Sequence, residues 1–313
     1  MPELPEVEYT ARQLRTVVEG ATIREAQVFW ERVIGHPDPH DFLCEIAGRR
    51  ITGVTRRGKY LVLDLEGDLF LSIHRRMTGN LLLLPPGWRL DTGLRENDPA
   101  VWSTRGPTFH LDGDADHIPA HGTRYCRACF MFTDGRCLLF TDPRKFGRIE
   151  LWPRLAENEA FHSLGPEPLS ELFSVTGFSE TLARRRTGIK QALLDQTVVA
   201  GVGNIYADEA LFYAGIHPSR RSDSLVSDEI QLLHEGIVTV LTRGIEHGGT
   251  SFNDYRDLWG EAGDNYNHVS VYHQEGRPCK RCGTLIERMV IAQRSAHFCP
   301  NCQQENILHT HRN

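Results

Sequence analysis

Cys279-Lys280-Arg281-Cys282 and, after a gap of sixteen residues, Cys299-Pro300-Asn301-Cys302 lie near the C-terminal end of the chain. Two Cys-x2-Cys pairs at this separation have the spacing of a zinc ribbon. Four thiolates saturate a tetrahedral ion, so the expected cofactor is one structural Zn2+ with no position left open for catalysis. So short a segment cannot build a core of its own, and metal binding supplies much of its folding free energy. The competing reading is two disulfides or buried thiols, which paired x2 spacings suit less well.

Working outward, the chain has 313 residues, enough for two domains with the ribbon as a third piece. The division expected is an N-terminal domain over 1–153, a helical domain over 154–270, and the zinc finger with a short tail over 271–313. No run of about eighteen apolar residues suggests a membrane span. The opening Met1-Pro2-Glu3-Leu4-Pro5-Glu6 is acidic and has no apolar centre, unlike a secretory signal. A reducing cytosol is therefore expected, which again favours metal over disulfides. The net charge of −6 argues against coating nucleic acid by bulk charge. It leaves open a single basic face. Two basic groups stand out: Arg184-Arg185-Arg186 with Lys190, and Arg277, Lys280, Arg281, Arg288 and Arg294 in and beside the ribbon. Either could equally be a solvated face.

Val7, Leu14, Val17 and Val18 recur at near-helical spacing, predicting a helix over 5–18 that stops at Gly20. From about 21 to 84 the pattern is β, with a hairpin break at Glu66-Gly67-Asp68. Residues 85–123 read as a long loop or insertion. Strands resume around 129–132 and 138–140 across Asp134-Gly135. Residues 153–180 look like a linker. Helices are expected over 188–195, 205–214 and 225–247, with Asn204 as an N-cap, Asp208 and Glu209 in the first turn, and Gly215 as a stop. Residues 251–275 read as a loop. Cys126-x2-Cys129 is read as plain strand cysteines on opposite faces, not a second metal site.

Pro2 offers distinctive chemistry. If Met1 is clipped, Pro2 becomes a free secondary amine. An α-amino group titrates at about 7.7–8.0, so it is partly unprotonated at neutral pH and can attack a carbonyl carbon to give an iminium. The plainer alternative is a proline that merely precedes a helix.

Several motifs occur in order along nearly the whole chain: Met-Pro-Glu-Leu-Pro-Glu-Val-Glu at 1–8, His74-x-x-Met77-x-Gly79, Asp142-Pro143-Arg144-Lys145-Phe146-Gly147, Gly201-Val202-Gly203-Asn204-Ile205-Tyr206-Ala207, Gly215-Ile216-His217-Pro218, and Ala292-Gln293-Arg294 inside the ribbon. The ordered set resembles the bacterial formamidopyrimidine-DNA glycosylase family. That resemblance implies an α+β, multidomain fold: an N-terminal β-sandwich with a leading helix, a helix–two-turn–helix domain, and a four-cysteine zinc-finger ribbon. It implies a monomer acting on damaged double-stranded DNA held in a cleft between the two halves, in the cytoplasm at the nucleoid.

Base excision requires the target nucleotide to be turned out of the duplex. The resemblance makes Pro2 the nucleophile at the sugar C1′, expelling an oxidised purine and leaving a Schiff base. It makes Glu3 the general acid at the ring oxygen and Lys59 an assistant to base loss and elimination. The iminium acidifies neighbouring sugar C–H bonds, so β- and then δ-elimination is implied, with Arg294 contacting phosphate and taking part in the second step. Met77, Arg144 and Phe146 match residues that fill the vacated stack and address the orphaned base. Taken alone, Met77 and Phe146 could be core and Arg144 a salt bridge. Asn204 at a helix N-terminus suits a phosphate, and His74 and Arg185 match further DNA contacts. The family's Lys-His-x-His pattern is here Arg124-Tyr125-Cys126-Arg127, which makes Tyr125 the expected contact. Rival readings are an endonuclease VIII-like enzyme for oxidised pyrimidines, an enzyme reduced to abasic-site lyase activity, and a non-catalytic zinc-ribbon DNA-binding protein. Leu4 and Glu8 of the opening motif, the Arg144-Lys145-Phe146 segment and the 251–275 loop, which lies where the purine branch closes over a flipped base, favour the purine-lesion branch over the endonuclease VIII-like one, and the intact Pro2, Glu3 and Lys59 set argues against a pure binder.

Overall fold

The structure is a computed structural model, and it describes residues 2–91, 108–111, 125–154, 157–252 and 254–305. These divide into two compact units. One runs through His162 and also takes in His247–Tyr266. The other comprises Ser163–Glu246 and the chain from Asn267.

The first unit opens with helix α1 (Leu4–Val18). Val7, Ala11, Leu14 and Val18 are buried along one stripe, as their spacing of three and four dictates. Two sheets follow. Strands β1 (Ile23–Val28), β6 (Asn80–Leu84), β9 (Cys126–Phe132) and β10 (Cys137–Thr141) form an antiparallel sheet in the order β1-β9-β10-β6. Strands β2 (Ile34–His36), β3 (Ile51–Arg57), β4 (Tyr60–Leu65), β5 (Leu69–His74) and β11 (Arg148–Trp152) form the other, in the order β2-β11-β5-β4-β3, with only the β2–β11 pair parallel. One apolar core joins them: Leu61, Leu63, Leu71 and Ile73 from one sheet, and Ala128, Phe130, Phe132, Leu138 and Phe140 from the other. This is the expected sandwich with a leading helix.

Several local expectations need correction. Helix α2 (Pro39–Ile46) interrupts the stretch read as continuous β; Asp38 caps it by accepting from the amides of His40 and Asp41, and Pro39 fits its first turn. Within the stretch read as loop, Trp88–Asp91 (β7) pairs with Thr108–Leu111 (β8); the remainder of the 85–123 insertion beyond Asp91 lies outside the described residues, as does Arg124. The 153–180 linker contains two helices, α3 (Glu159–His162) and α4 (Val175–Ala183), the second capped by Ser174. Cys126 and Cys129 share one face. The register shifts between Phe140 and Thr141 opposite this strand, and the extra residue returns Cys126 to the side of Cys129, Met131 and Cys137.

The second unit holds α5 (Ile189–Leu194), α6 (Asn204–Ala214) and α7 (Ser227–Glu246), then the hairpin of β12 (Glu287–Ile291) and β13 (Arg294–Phe298). Gly215 ends α6 at φ 70°, a left-handed cap that glycine adopts without strain. The N-cap of α6 is Gly203, and Asn204 is the first helical residue. Asp208 and Glu209 therefore lie beyond the first turn. Both are buried, and their partners are tertiary. Asp208 receives the Lys190 ammonium (2.6 Å), the His297 amide (2.9 Å) and His297 Nδ1 (3.1 Å). Glu209 accepts the backbone N–H groups of Ser270, Val271 and Tyr272 at 2.8–3.0 Å. No helix among the described residues is long and apolar enough to cross a membrane.

Candidate active site and zinc ribbon

Pro2 and Glu3 are buried, although chain ends ordinarily fray. The reason is local. Glu3 is the N-cap of α1 and exchanges reciprocal side-chain-to-backbone hydrogen bonds with Glu6, whose Oε2 accepts the Glu3 amide at 2.7 Å. The other oxygen of Glu6 accepts the Thr250 amide, also at 2.7 Å. One buried carboxylate thus fixes both the start of the chain and the base of a distant loop.

Lys59 occupies the two-residue turn between β3 and β4, after Gly58 at φ 55°. It is only 8% exposed. It lies near enough to His74 that its charge, after burial and the Arg76 guanidinium, helps depress that imidazole to about pKa 3. His74 is therefore neutral at physiological pH. Its Nδ1 accepts the Arg76 amide at 3.0 Å, which leaves the proton on Nε2. A phosphate would meet His74 as a neutral N–H donor, not as a cation.

Met77, Arg144 and Phe146 come together on two linked turns. Asp142 is fully buried, and its carboxylate organises the second of them: Oδ1 accepts the Arg144 amide (3.1 Å), and Oδ2 accepts the amides of Phe146 (2.7 Å) and Gly147 (2.8 Å). Thr78, next to Met77, donates its hydroxyl to Asp142 Oδ1 and so ties the first turn to the second. The Arg144 guanidinium stacks 4.7 Å from the Phe146 ring centroid, and that ring is 50% exposed. An aromatic ring held out in solvent by a buried carboxylate is not core packing. Tyr125 stands beneath this turn at φ 69°, its carbonyl accepting the Asp142 amide at 3.0 Å.

In the second unit, Asn204 and Arg294 are brought together. Asn204 Nδ2 donates to the carbonyl of Ser295 at 3.1 Å, one residue past Arg294. Lys190 donates to the same carbonyl. Arg294 leaves the Ala292-Gln293 turn, whose residues have φ of 47° and 62°, and is exposed. Other basic residues of its cluster are occupied internally: Lys280 on the Val269 carbonyl, Arg281 on those of Phe212 and Tyr213, and Arg288 on Ser295 Oγ. Arg185 is likewise engaged, with Asp195 and Thr197, each at 2.7 Å. It secures the turn that precedes α6.

Cys279, Cys282, Cys299 and Cys302 place their sulfurs within 4.8 Å of one another, with separations of 3.5 Å (Cys282–Cys299 and Cys282–Cys302) and 3.9 Å (Cys279–Cys302). A tetrahedral ion with bonds of about 2.3 Å requires sulfurs about 3.8 Å apart. Bonded sulfurs would lie at about 2 Å, so two disulfides do not fit. The site suits one zinc ion held by these four thiolates.

Comparison with known proteins places this arrangement. The profile of the formamidopyrimidine-DNA glycosylase N-terminal domain matches residues 1–149, that of the formamidopyrimidine-DNA glycosylase H2TH domain matches 164–256, and that of a zinc finger found in FPG and IleRS matches 276–304. The chain belongs to the formamidopyrimidine-DNA glycosylase family. It is 42% identical over 304 residues to the formamidopyrimidine-DNA glycosylase of Herpetosiphon aurantiacus, covering 97% of this chain and 100% of the relative. Its fold is similar to the crystal structure of the MutM (Fpg) protein of Thermus thermophilus, with a TM-score of 0.79, 38% identity, and coverage of 98% and 100%. It is also similar to Lactococcus lactis Fpg in complex with DNA containing N7-benzyl-Fapy-dG, with a TM-score of 0.78, 33% identity, and coverage of 97% and 100%.

The motifs single out Pro2, Glu3, Lys59, His74, Met77, Arg144 and Phe146 in one unit, and Asn204, Arg185, Arg294 and the four cysteines in the other. They do not reveal the work of the residues that hold these in place: Glu6 and Asp142 lie inside the motifs, Asp208 and Glu209 read as first-turn charges, and Thr78 goes unremarked, while the partners of all five are set by the fold.

Proposed function

We propose that the protein is a bifunctional DNA glycosylase and abasic-site lyase that removes oxidised purines, 8-oxoguanine and formamidopyrimidines, from double-stranded DNA at the nucleoid. The observation that carries this reading is the buried position of Pro2 beside Glu3, which hydrogen bonds to Glu6 fix at the head of α1. A binding module has no use for a fixed terminus. Removal of Met1 makes Pro2 a secondary amine. Its nitrogen attacks C1′, the base leaves with the glycosidic electron pair, and Glu3 delivers a proton to the ring oxygen as the ring opens to an iminium. Loss of a C2′ proton and then departure of the 3′ phosphate complete β-elimination. A second elimination releases the 5′ phosphate, with Arg294 on the phosphate, and hydrolysis of the imine frees Pro2. Lys59 assists base loss. Met77, Arg144 and Phe146 occupy the space the flipped nucleotide vacates. Asn204, Arg294, His74, Tyr125 and Arg185 hold the backbone. The zinc ion, held by Cys279, Cys282, Cys299 and Cys302, supplies folding energy to the ribbon and no chemistry. The formamidopyrimidine lesion in the Lactococcus lactis complex supports the purine assignment.

Borohydride trapping on duplexes containing 8-oxoguanine or an abasic site, read by mass spectrometry, tests this reading. The expected adduct joins the deoxyribose remnant to a Pro2 that lacks Met1. Pro2→Gly is expected to keep some amine chemistry and lose most base excision. A protein that retains Met1 and nicks damaged duplexes normally would overturn the proposal.

A further inference from the structure

Arg75 is fully buried, yet among the described residues no ion pair joins its guanidinium to a carboxylate; Glu6 and Asp257 act on it only through longer-range electrostatics. Its contacts reach three segments far apart in the chain. Nε donates to the Gly79 carbonyl across the Met77 turn (3.1 Å), Nη1 donates to Thr10 Oγ1 on α1 (2.7 Å), and the guanidinium lies 5.0 Å from the ring centroid of Tyr255. Nη2 is buried with no hydrogen-bond partner. A cation held this way costs desolvation that apolar side chains filling the same space would avoid, so its stabilising value is poor. Its value is geometric, because a rigid fork can join three partners at fixed angles.

Tyr255 belongs to a segment of the first unit, residues 249–252 and 254–264, that is closed at its base and moored along its length to α1 and the Met77 turn. At the base, an added Cβ on Gly263 would stand 2.2 Å from the Gly249 carbonyl, so the two limbs touch backbone to backbone. Along its length, Gln13 accepts the Leu258 amide (3.0 Å) and donates to Asp257 (2.7 Å), while Asn80, just past the Met77 turn, donates to the Asp254 carbonyl (2.6 Å) and accepts the Arg256 amide (3.0 Å). Thr250 shares the Glu6 carboxylate with Glu3. The segment therefore begins one carboxylate away from the proposed nucleophile, and Arg75 meets it from the side of the proposed wedge.

We propose that Arg75 is a positioning residue that locks the Met77 turn to the 249–264 segment through the face of Tyr255, so that the wedge and the segment seat together around an intact lesion nucleotide. The inference rests on the glycosylase reading above. Cleavage of a preformed abasic site has no base to seat, so it makes little demand on the lock; excision of a damaged purine depends on it.

Single-turnover rates on 8-oxoguanine and abasic duplexes, compared as a ratio, test the lock in the full-length zinc-loaded protein. For Arg75→Leu, the ratio of excision to abasic cleavage is expected to fall about tenfold, with abasic cleavage within about twofold of wild type and only a small drop in melting temperature. Arg75→Lys should recover part of the ratio, and Tyr255→Phe, which keeps the ring, nearly all of it. Tyr255→Leu should reproduce the Arg75→Leu defect, and the double variant should be no worse than either single one. Tyr255→Leu also serves if Arg75→Leu fails to fold. Equal losses in both reactions, or additive effects in the double variant, would overturn the lock. Absence of any borohydride-trapped adduct with the wild-type protein would instead overturn the glycosylase reading.

Discussion

Replacing Asp142 by asparagine isolates the carboxylate that holds Arg144 and Phe146 outward. The side chain keeps its shape and one oxygen, but an amide group now faces two of the four donors. If the oxygen stays with Thr78 and the Arg144 amide, the N–H groups of Phe146 and Gly147 lose their acceptor. Hydrogen bonds to a charged acceptor contribute about 1.5–3 kcal/mol each. Phe146 is half exposed, so water replaces part of the loss, and the expected destabilisation is about 2–4 kcal/mol. That is tolerable against a typical stability of about 5–15 kcal/mol, so the variant should fold. Urea unfolding measures the loss. Thr78→Val, which removes one buried donor to the same carboxylate at similar volume, should cost about 1.5–3 kcal/mol by the same assay. In single-turnover assays Asp142→Asn should excise 8-oxoguanine about tenfold more slowly, because the proposed wedge side chains, Arg144 and Phe146, are no longer preorganised. If Asp142→Asn matched wild type within about 0.5 kcal/mol and excised at full rate, the carboxylate would not be what shapes this turn.

Glu3→Gln should bind lesion duplexes normally in a gel-shift assay while excision falls sharply; full activity would remove Glu3 from proton transfer. Cys282→Ser should release zinc, unfold the ribbon and weaken DNA binding without altering the N-terminal sandwich; undiminished binding would defeat the structural-zinc argument. For His74 the folded pKa of about 3 lies below the ordinary value of about 6.5, so the unfolded chain takes up a proton first as pH falls. The stability its neutral ring contributes is complete above that value and is lost progressively toward pH 3. Between pH 7 and pH 5 this amounts to about 2 kcal/mol. His74→Asn should lack that component in urea titrations at the two pH values; an unchanged pH slope would contradict the buried neutral ring. Affinity for undamaged duplex should fall steeply with salt if the exposed arginines contact phosphate, and a flat profile would count against them.

What can be read from the chain and what cannot divides on physical grounds. Periodicity marks α1, because a stripe of apolar side chains is a local property. The ribbon is legible because metal geometry constrains cysteine spacing, and the stop at Gly215 because a left-handed residue favours glycine. Helix α2 carries its cue in Asp38-Pro39, but the helix is only eight residues long and its apolar content resembles a strand. The shared face of Cys126 and Cys129 depends on a bulge whose origin is the register of the neighbouring strand. Asp208 and Glu209 look like charges complementing a helix dipole. Their true partners, Lys190, His297 and the amides of 270–272, are set only by tertiary folding. Asp142 stands within a motif, yet its work is done on backbone N–H groups that no sequence displays. The ordered motifs find the side chains that would face DNA, and burial and hydrogen bonding identify those that aim them.

Glu209's hold on three consecutive amides has a bearing on life without metal. The anchorage of the finger's leading edge, at residues 270–272, passes through a helix carboxylate and not through any sulfur. Chelation should therefore dissolve the knuckles while the approach to them stays tethered, like a hand gone slack on a braced wrist. Returning zinc would then meet ligands already confined near their target, and restoration should be quick and independent of protein concentration.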